Sequence, residues 1–429
     1  MKKMLEIMPH LPCKWIAAIL AAFYLACLLT VVEGSDPHTK IQKVSTRDDL
    51  ASVVDSAKSG TTILLEDGIY KVSRPLVFRK EDVEIRSESG NRDKVILDGK
   101  QGGGRLRRED CVNEIIGVRS SNITVADISI CHARDHGIHI APQNEGNISN
   151  VVMHNIHVYD CGQQLIKVNS NGGNPIYWAD ESVLEDSLIE FIDNSIMQDI
   201  GSYFYTGGLD IHGGKDWQIK RNTFRNIQRE GKMMEHAVHM WSRSRGTIVE
   251  QNRFIDCFRA VGLGMKTEAT GLTRDYPDGK GTKPYFDHVE GIVRNNFIFN
   301  RKGVHLESGI ELMNVIDVKV LHNTVVSHDE PFSSIEYRWS NTRVDIINNI
   351  VSQRIMGRDG ANATLTKNIE NADASFFKDY KTGDLHLSLG ASMAADNGAP
   401  LKDTGVDVDI DGEKRDARPD IGADERRAP

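Results

Sequence analysis

Trp217-Gln-Ile-Lys-Arg-Asn-Thr-Phe224 is echoed by Thr247-Ile-Val-Glu-Gln-Asn-Arg-Phe254, and again by Gly291-Ile-Val-Arg-Asn-Asn-Phe-Ile298. Two further copies are Val318-Lys-Val-Leu-His-Asn-Thr-Val325 and Val344-Asp-Ile-Ile-Asn-Asn-Ile-Val351. In each, apolar and polar residues alternate up to an Asn and alternate again beyond it. A period of two is the mark of a strand, and no amphipathic helical period intervenes. Extending the phrase outward gives equivalent positions Asp127, Asn155, Asn194, Asn222, Asn252, Asn296, Asn323 and Asn349, with spacings of 28, 39, 28, 30, 44, 27 and 26 residues. A base period of about 27 residues with occasional excess describes stacked units that carry loop insertions. The fold class predicted is all-β: a single-stranded right-handed parallel β-helix, three short strands to a coil, with an N-terminal capping helix. The recurring Asn is read as a structural ladder. Cys131, Cys161 and Cys257 sit just before one strand of their coils and are read as buried packing residues.

The ends fit a solenoid, whose open core needs covering. Thr46 to Lys58 reads as a helix with a Thr cap and an acidic first turn. Ahead of it, Lys2, Lys3 and Lys14 precede the apolar run Trp15–Val32, and Val32-Glu-Gly34 offers a cleavage site. Residues 1–34 are therefore read as a signal peptide or N-terminal anchor, and residues 35–429 as the β-helix with its helical cap and a C-terminal capping segment. The expected location is secreted or periplasmic. A formal net charge of −9 argues against nucleic-acid binding but leaves room for an anionic substrate in a locally basic groove.

Thr61-Thr-Ile-Leu-Leu-Glu-Asp-Gly-Ile-Tyr70, following that helix, resembles the opening phrase of the pectate-lyase-like β-helix superfamily. The tail Asp409–Glu425 is similar to the closing segment of many secreted bacterial β-helix proteins. The resemblance spans nearly the whole mature chain. It implies the fold strongly and the activity weakly, because lyases, hydrolases, epimerases and adhesins share that architecture.

Aligning the coils places one outward file of side chains as His139, Lys167, Asp210, His239, Gly262, Glu311 and Glu336. The next outward file is Ala141, Asn169, His212, Trp241, Gly264, Met313 and Arg338. Coils stack about 4.8 Å apart, so Lys167, Asp210 and His239 are expected on consecutive rungs. An ordinary solvated face carries Thr, Ser, Lys and Glu in no order. This one gathers His, Asp, Lys and Trp at its centre, with two glycines beyond them that leave a hollow.

Such a groove on an exported β-helix points to a polysaccharide substrate, met by a monomer. Removal of the C5 proton of a uronate needs a base near neutrality, a cation for the enediolate and an acid for the leaving oxygen. His212 or His239 is the expected base, with Asp210 beside it. Lys167 and Arg338 are expected to neutralise the carboxylate, and Tyr205 or the second His to supply the acid. Trp241 is read as a flat stacking surface, and His139, Asn169, Lys215, Arg243 and Lys266 as further substrate contacts. β-Elimination is the first reading and C5 epimerisation the second. Asp210-Ile-His212, with Lys167 and His239 on adjacent coils, is similar to the Asp-Pro-His strand of alginate C5-epimerases, with Ile211 in place of Pro. The chain also resembles β-helical alginate and chondroitin lyases; no cofactor is certain, and a calcium ion on Glu235, Glu311 and Glu336 is the metal considered. Hydrolysis by two carboxylates and a non-catalytic surface protein complete the alternatives.

Overall fold

The structure is a computed structural model that describes residues 40–143, 146–193, 205–229, 233–402 and 404–426. The leader of residues 1–34 and Asn194 lie outside the described residues.

The chain winds as a right-handed parallel β-helix. In one coil, the strands Val152–His154, His157–Tyr159 and Ile166–Val168 belong in turn to a first, a second and a third parallel sheet. Between the first two strands the backbone turns on one residue in the left-handed region: Asp127 (φ 55°), Asn155 (φ 49°), Asp186 (φ 53°), Arg221 (φ 56°), Gln251 (φ 54°) and Asn295 (φ 51°) in successive coils. That conformation costs an L-residue roughly 1–2 kcal/mol. The residue after it offsets the strain. Asn222 Nδ2 donates to Asn252 Oδ1 at 3.0 Å and to the Leu184 carbonyl at 2.8 Å. The same amide-to-amide step joins Asn252 to Asn296 (3.0 Å), Asn296 to Asn323 (2.9 Å), Asn323 to Asn349 (3.0 Å) and Asn349 to Asn368 (3.0 Å).

The ladder thus differs from its sequence reading at both ends. Asp127 and Asn155 occupy the left-handed position one residue early, where Asn155 donates to Asp127 at 2.7 Å. Before Asn222 the rung is Ser187, whose backbone N–H donates to Asn222 Oδ1 at 3.0 Å. Asn368 adds a rung beyond Asn349. Alternation alone does not distinguish a turn's first residue from its second, which explains the slip.

The capping helix is Leu50–Ser56, with Leu50, Ala51 and Val54 buried. Its cap is Asp49, which accepts from the Ser52 N–H at 3.1 Å, rather than Thr46. Ser45 and Asp48 first close a turn of their own (2.7 Å), which delays helix entry by three residues. The tail packs on the coils. It lies along the flank of the coils: Gln251 donates to the Asp409 carbonyl, Asn295 to the Val408 carbonyl, and the Gly422 N–H to the Asn348 carbonyl. Cys111, Cys131, Cys161 and Cys257 are all free and buried. They do not form one stack, because Cys131 pairs in register with Tyr159, two residues before Cys161. Burial pushes the Cys131 and Cys257 thiols up to about 12.

The third sheet faces its apolar side to the core. Ile138, Ile166, Leu209, Val238, Val261, Ile310 and Ile335 form one file with no exposure. Each such side chain contributes about 1.5–3 kcal/mol on burial, so the opposite face can carry costly polar groups.

Candidate active site

On that opposite face His139, Lys167, Asp210, His239, Gly262, Glu311 and Glu336 are consecutive register partners. His212 pairs with Trp241, and Met313 with Arg338. Alternation had put every one of these residues in its file.

Burial divides the centre of the face. Lys167, Asp210 and His239 point outward yet are only 1%, 3% and 1% exposed, whereas Tyr205 is 40% exposed. Lys167 Nζ makes a short ion pair with Asp210 Oδ2 and lies 2.9 Å from His212 Nε2, which is itself 3.2 Å from Asp210 Oδ2. The other carboxylate oxygen of Asp210 accepts from the Trp241 indole N–H at 2.7 Å. Burial alone would raise the Asp210 carboxyl, but the Lys167 ammonium and His212 hold it well below the usual range. Burial lowers His212, against the opposing pull of Asp210, so the imidazole is neutral at pH 7. Among the described residues none bonds His212 Nδ1. Nε2 thus faces a donor, the Lys167 ammonium, and an acceptor, Asp210 Oδ2; in the tautomer that donates from Nε2 to Asp210, the lone pair a base requires is on Nδ1. Tyr205 stands beside this trio, its ring centroid 5.4 Å from Lys167 Nζ.

Trp241 does not offer the free flat face expected of it. His239 stacks on the indole with ring planes 3° apart and centroids 5.4 Å apart, and His212 meets it edge-on at 4.3 Å. The Lys266 ammonium lies over the ring at 4.8 Å, held by the Thr270 carbonyl at 2.8 Å. The indole is a brace for Asp210, and Lys266 is the cation at the edge of the groove. His139 belongs to an adjoining cluster one coil earlier. It reaches Glu114 Oε2 at 2.7 Å and accepts from Asn169 Nδ2 at 3.4 Å, while Arg119 pairs with Glu114 at 2.9 Å.

Three expected contacts lie elsewhere. Arg243 is buried and grips the insertion that follows the site, pairing with Asp275 and bonding the Arg274 carbonyl at 2.7 Å. Lys215 pairs with Asp216 at 3.0 Å. Arg338 stands four rungs from His212, roughly 19 Å along the stack, and pairs with Asp359 at 3.0 Å. It cannot neutralise a carboxylate held at His212. The insertion aromatics Trp178 and Tyr276 are buried, with the Arg274 guanidinium between them at 5.9 and 4.8 Å, so they pack the loops onto the coil.

The residues that alignment missed enter from outside the strands. His236, two residues before the strand Val238–Trp241, lays its ring where a Cβ on Gly262 would stand, 2.6 Å from His236 Nε2. The hollow at that glycine is therefore filled. His236 Nε2 lies 2.9 Å from Glu311 Oε2, and Arg259 lies 3.4 Å from Glu311 Oε1. Burial raises the Glu311 carboxyl, but His236 and then Arg259 outweigh it and hold it at about 2. Glu336 instead pairs with Arg358 at 2.9 Å and is raised by burial and by Glu311. Among the described residues the three carboxylates expected to hold calcium do not form one ligand cluster: Glu235 and Glu311 lie on opposite nitrogens of His236, and Glu336 pairs with Arg358. These groups line a cleft of about 430 Å³ that also includes Glu235, His239, Met233, Met265 and Met313. A larger cleft, about 720 Å³, is formed by the tail around His386 and Asp411 and shares no residue with the third sheet.

Residues 167–351 match a family model described as the right handed beta helix region. Among solved structures, the chain is similar to pectate lyase Pel9A, with 14% identity over 92% of this chain and 98% of that one and a TM-score of 0.55. It is also similar to an alginate lyase from Paenibacillus sp. str. FPU-7, with 15% identity over 78% and 100% of the two chains and a TM-score of 0.50. At these identities the likeness is one of fold. No curated protein matches the chain.

Proposed function

We propose that this chain is a secreted enzyme that cleaves a uronic-acid polysaccharide by β-elimination. The observation that supports the reading is the trio Lys167–Asp210–His212, in which two buried opposite charges support one partly exposed neutral imidazole. His212 Nδ1 takes the C5 proton. The C–H electron pair passes into the enediolate and then expels the C4 oxygen, which Tyr205 protonates. Lys266 takes the role first given to Arg338 and stabilises the charge that develops on the carboxylate. Lys167, Asp210 and Trp241 are positioning residues: the first two are buried, and the indole is engaged by Asp210, His239 and Lys266. Hydrolysis is disfavoured by the separation of Asp210 and Glu311, three rungs or roughly 14 Å, which exceeds the usual spacing of paired glycosidase carboxylates.

The second reading is C5 epimerisation, favoured by the arrangement of Lys167, Asp210 and His239 on successive rungs. It shares the first proton transfer and differs only in where the next proton goes. The partner in both is a polysaccharide, acted on by a monomer. Among the described residues no helix is long and apolar enough to cross a membrane.

The test is a panel of polyuronates followed by ultraviolet absorbance of the unsaturated product and by NMR for hydrogen exchange at C5. Rising absorbance that disappears in His212→Ala is the expected result. Exchange without absorbance would assign the epimerase. Neither signal with any polyuronate would sink both.

A further inference from the structure

Beside the proposed base lies a second cluster, whose geometry asks for a cation. His236 Nε2 faces Glu311 Oε2 at 2.9 Å, a carboxylate acceptor, so the ring hydrogen sits on Nε2. His239 Nε2 faces the Gly264 carbonyl at 3.3 Å, which again can only accept. Both imidazoles are therefore held with Nε2–H outward and Nδ1 turned toward Glu235. The two Nδ1 atoms meet at one carboxylate oxygen, Glu235 Oε2, at 3.7 Å from His236 and 3.2 Å from His239. The three ligand atoms lie within 4.8 Å of one another. His236 is only 2% exposed, and its Nδ1 has no hydrogen-bond partner.

Three ligand-type atoms converge here, and the hydrogen shared between His239 Nδ1 and Glu235 is the one a metal ion would displace. Ligands placed tetrahedrally at the usual zinc–nitrogen distance stand roughly 3.4 Å apart, close to the two separations seen. A ligating His whose other nitrogen is bonded to a carboxylate or a backbone carbonyl is the arrangement that orients imidazoles on a metal. Two imidazoles and one carboxylate suit an ion such as zinc, and not calcium, which takes six to eight oxygens. Two glycines make the cradle: a Cβ on Gly262 would strike the His236 ring at 2.6 Å, and one on Gly207 would strike Glu235 Cβ at 2.8 Å.

We infer that Glu235, His236 and His239 form a binding site for a divalent first-row transition ion, with Glu311 and the Gly264 carbonyl orienting the two imidazoles. All three ligands line the cleft, which leaves a fourth position for water or a substrate oxygen. The inference stands apart from the β-elimination reading, because binding is measured without substrate.

The experiment titrates the untagged, metal-stripped full chain with Co²⁺ and follows the visible d–d bands, with Zn²⁺ competition and metal analysis alongside. One equivalent per chain with tetrahedral bands, displaced by Zn²⁺, is expected. His236→Ala should abolish the bands. Glu311→Gln keeps every ligand and should weaken binding about 10–100-fold, which serves if His236→Ala fails to fold. Absence of bands in the wild-type chain overturns the site. So does full binding in folded His236→Ala or Glu311→Gln, or its loss in His386→Ala, because the tail group of His386, Asp411 and Asp424 would then hold the ion.

Discussion

Two vertical files of polar side chains run along the same solenoid, and they behave in opposite ways. In the Asn file, five buried amides from Asn222 to Asn349 repeat one bond pattern, each donating to the next rung and to a strand carbonyl. In the groove file, Lys167, Asp210, His239, Gly262 and Glu311 differ at every rung, and partners enter from the neighbouring file and from the turns. Both files are buried, and both satisfy their polar groups. Repetition costs nothing new per coil, because a single geometry serves all rungs. Irregularity requires a separate solution at each level, here Trp241 for Asp210, His236 for Glu311 and Arg358 for Glu336. A repeat protein that departs from its repeat on one face, while holding to it on another, marks where chemistry is placed.

The contrast breaks most sharply at His212. His212→Ala should lower activity about 100- to 10,000-fold and leave the denaturation midpoint nearly unchanged, because Lys167 and Asp210 still pair. Asp210→Ala removes the partner of a buried ammonium and of the indole N–H, and should cost about 3–5 kcal/mol in urea unfolding. Replacing Lys167 and Asp210 together by Met and Leu should recover much of that loss while activity stays absent. In the other file, Asn296→Ala leaves the Asn252 N–H and the Asn323 Oδ1 short of a partner and should cost about 1–3 kcal/mol with activity retained. If Asn296→Ala abolished activity at unchanged stability, the division between the two files would be wrong.

The same contrast explains how much was legible in sequence. Strand alternation is a property of the backbone, so the files from His139 to Glu336 and from His212 to Arg338 could be read directly. Buried Asn at a repeated turn could be read too, although not to the residue where Asp127 and Asn155 stand. What alternation does not carry is side-chain reach from turns and loops. His236 lies outside its strand, and its only signal was the spacing Glu235-His236-x-x-His239 one rung before Gly262. Arg243 looked like a groove cation by position, but the insertion it anchors folds back over it. Arg338 was placed in the correct file and the wrong neighbourhood, because a file gives order and distance only when rungs are counted.

The smallest expected effect concerns pH. Burial lowers His212 below the ordinary imidazole value of 6.5, so the base stays unprotonated somewhat below that pH, and the acid limb of kcat/KM should fall below 6.5. Asp210 opposes this shift by favouring the charged ring, and Lys167 adds to it. Lys167→Met leaves a buried carboxylate facing His212 and should therefore move the acid limb to higher pH. Asp210→Asn should move it lower. Stability should follow the same sign: a buried His with a lowered value favours the folded state above 6.5, and that contribution fades as pH falls below it, because the unfolded chain then binds the extra proton. His136, pushed down to about 4 by burial, extends the same loss toward more acid pH, so the activity limb and the stability limb should separate. Identical shifts of the activity limb in Lys167→Met and Asp210→Asn would mean that the titrating base is not the imidazole between them.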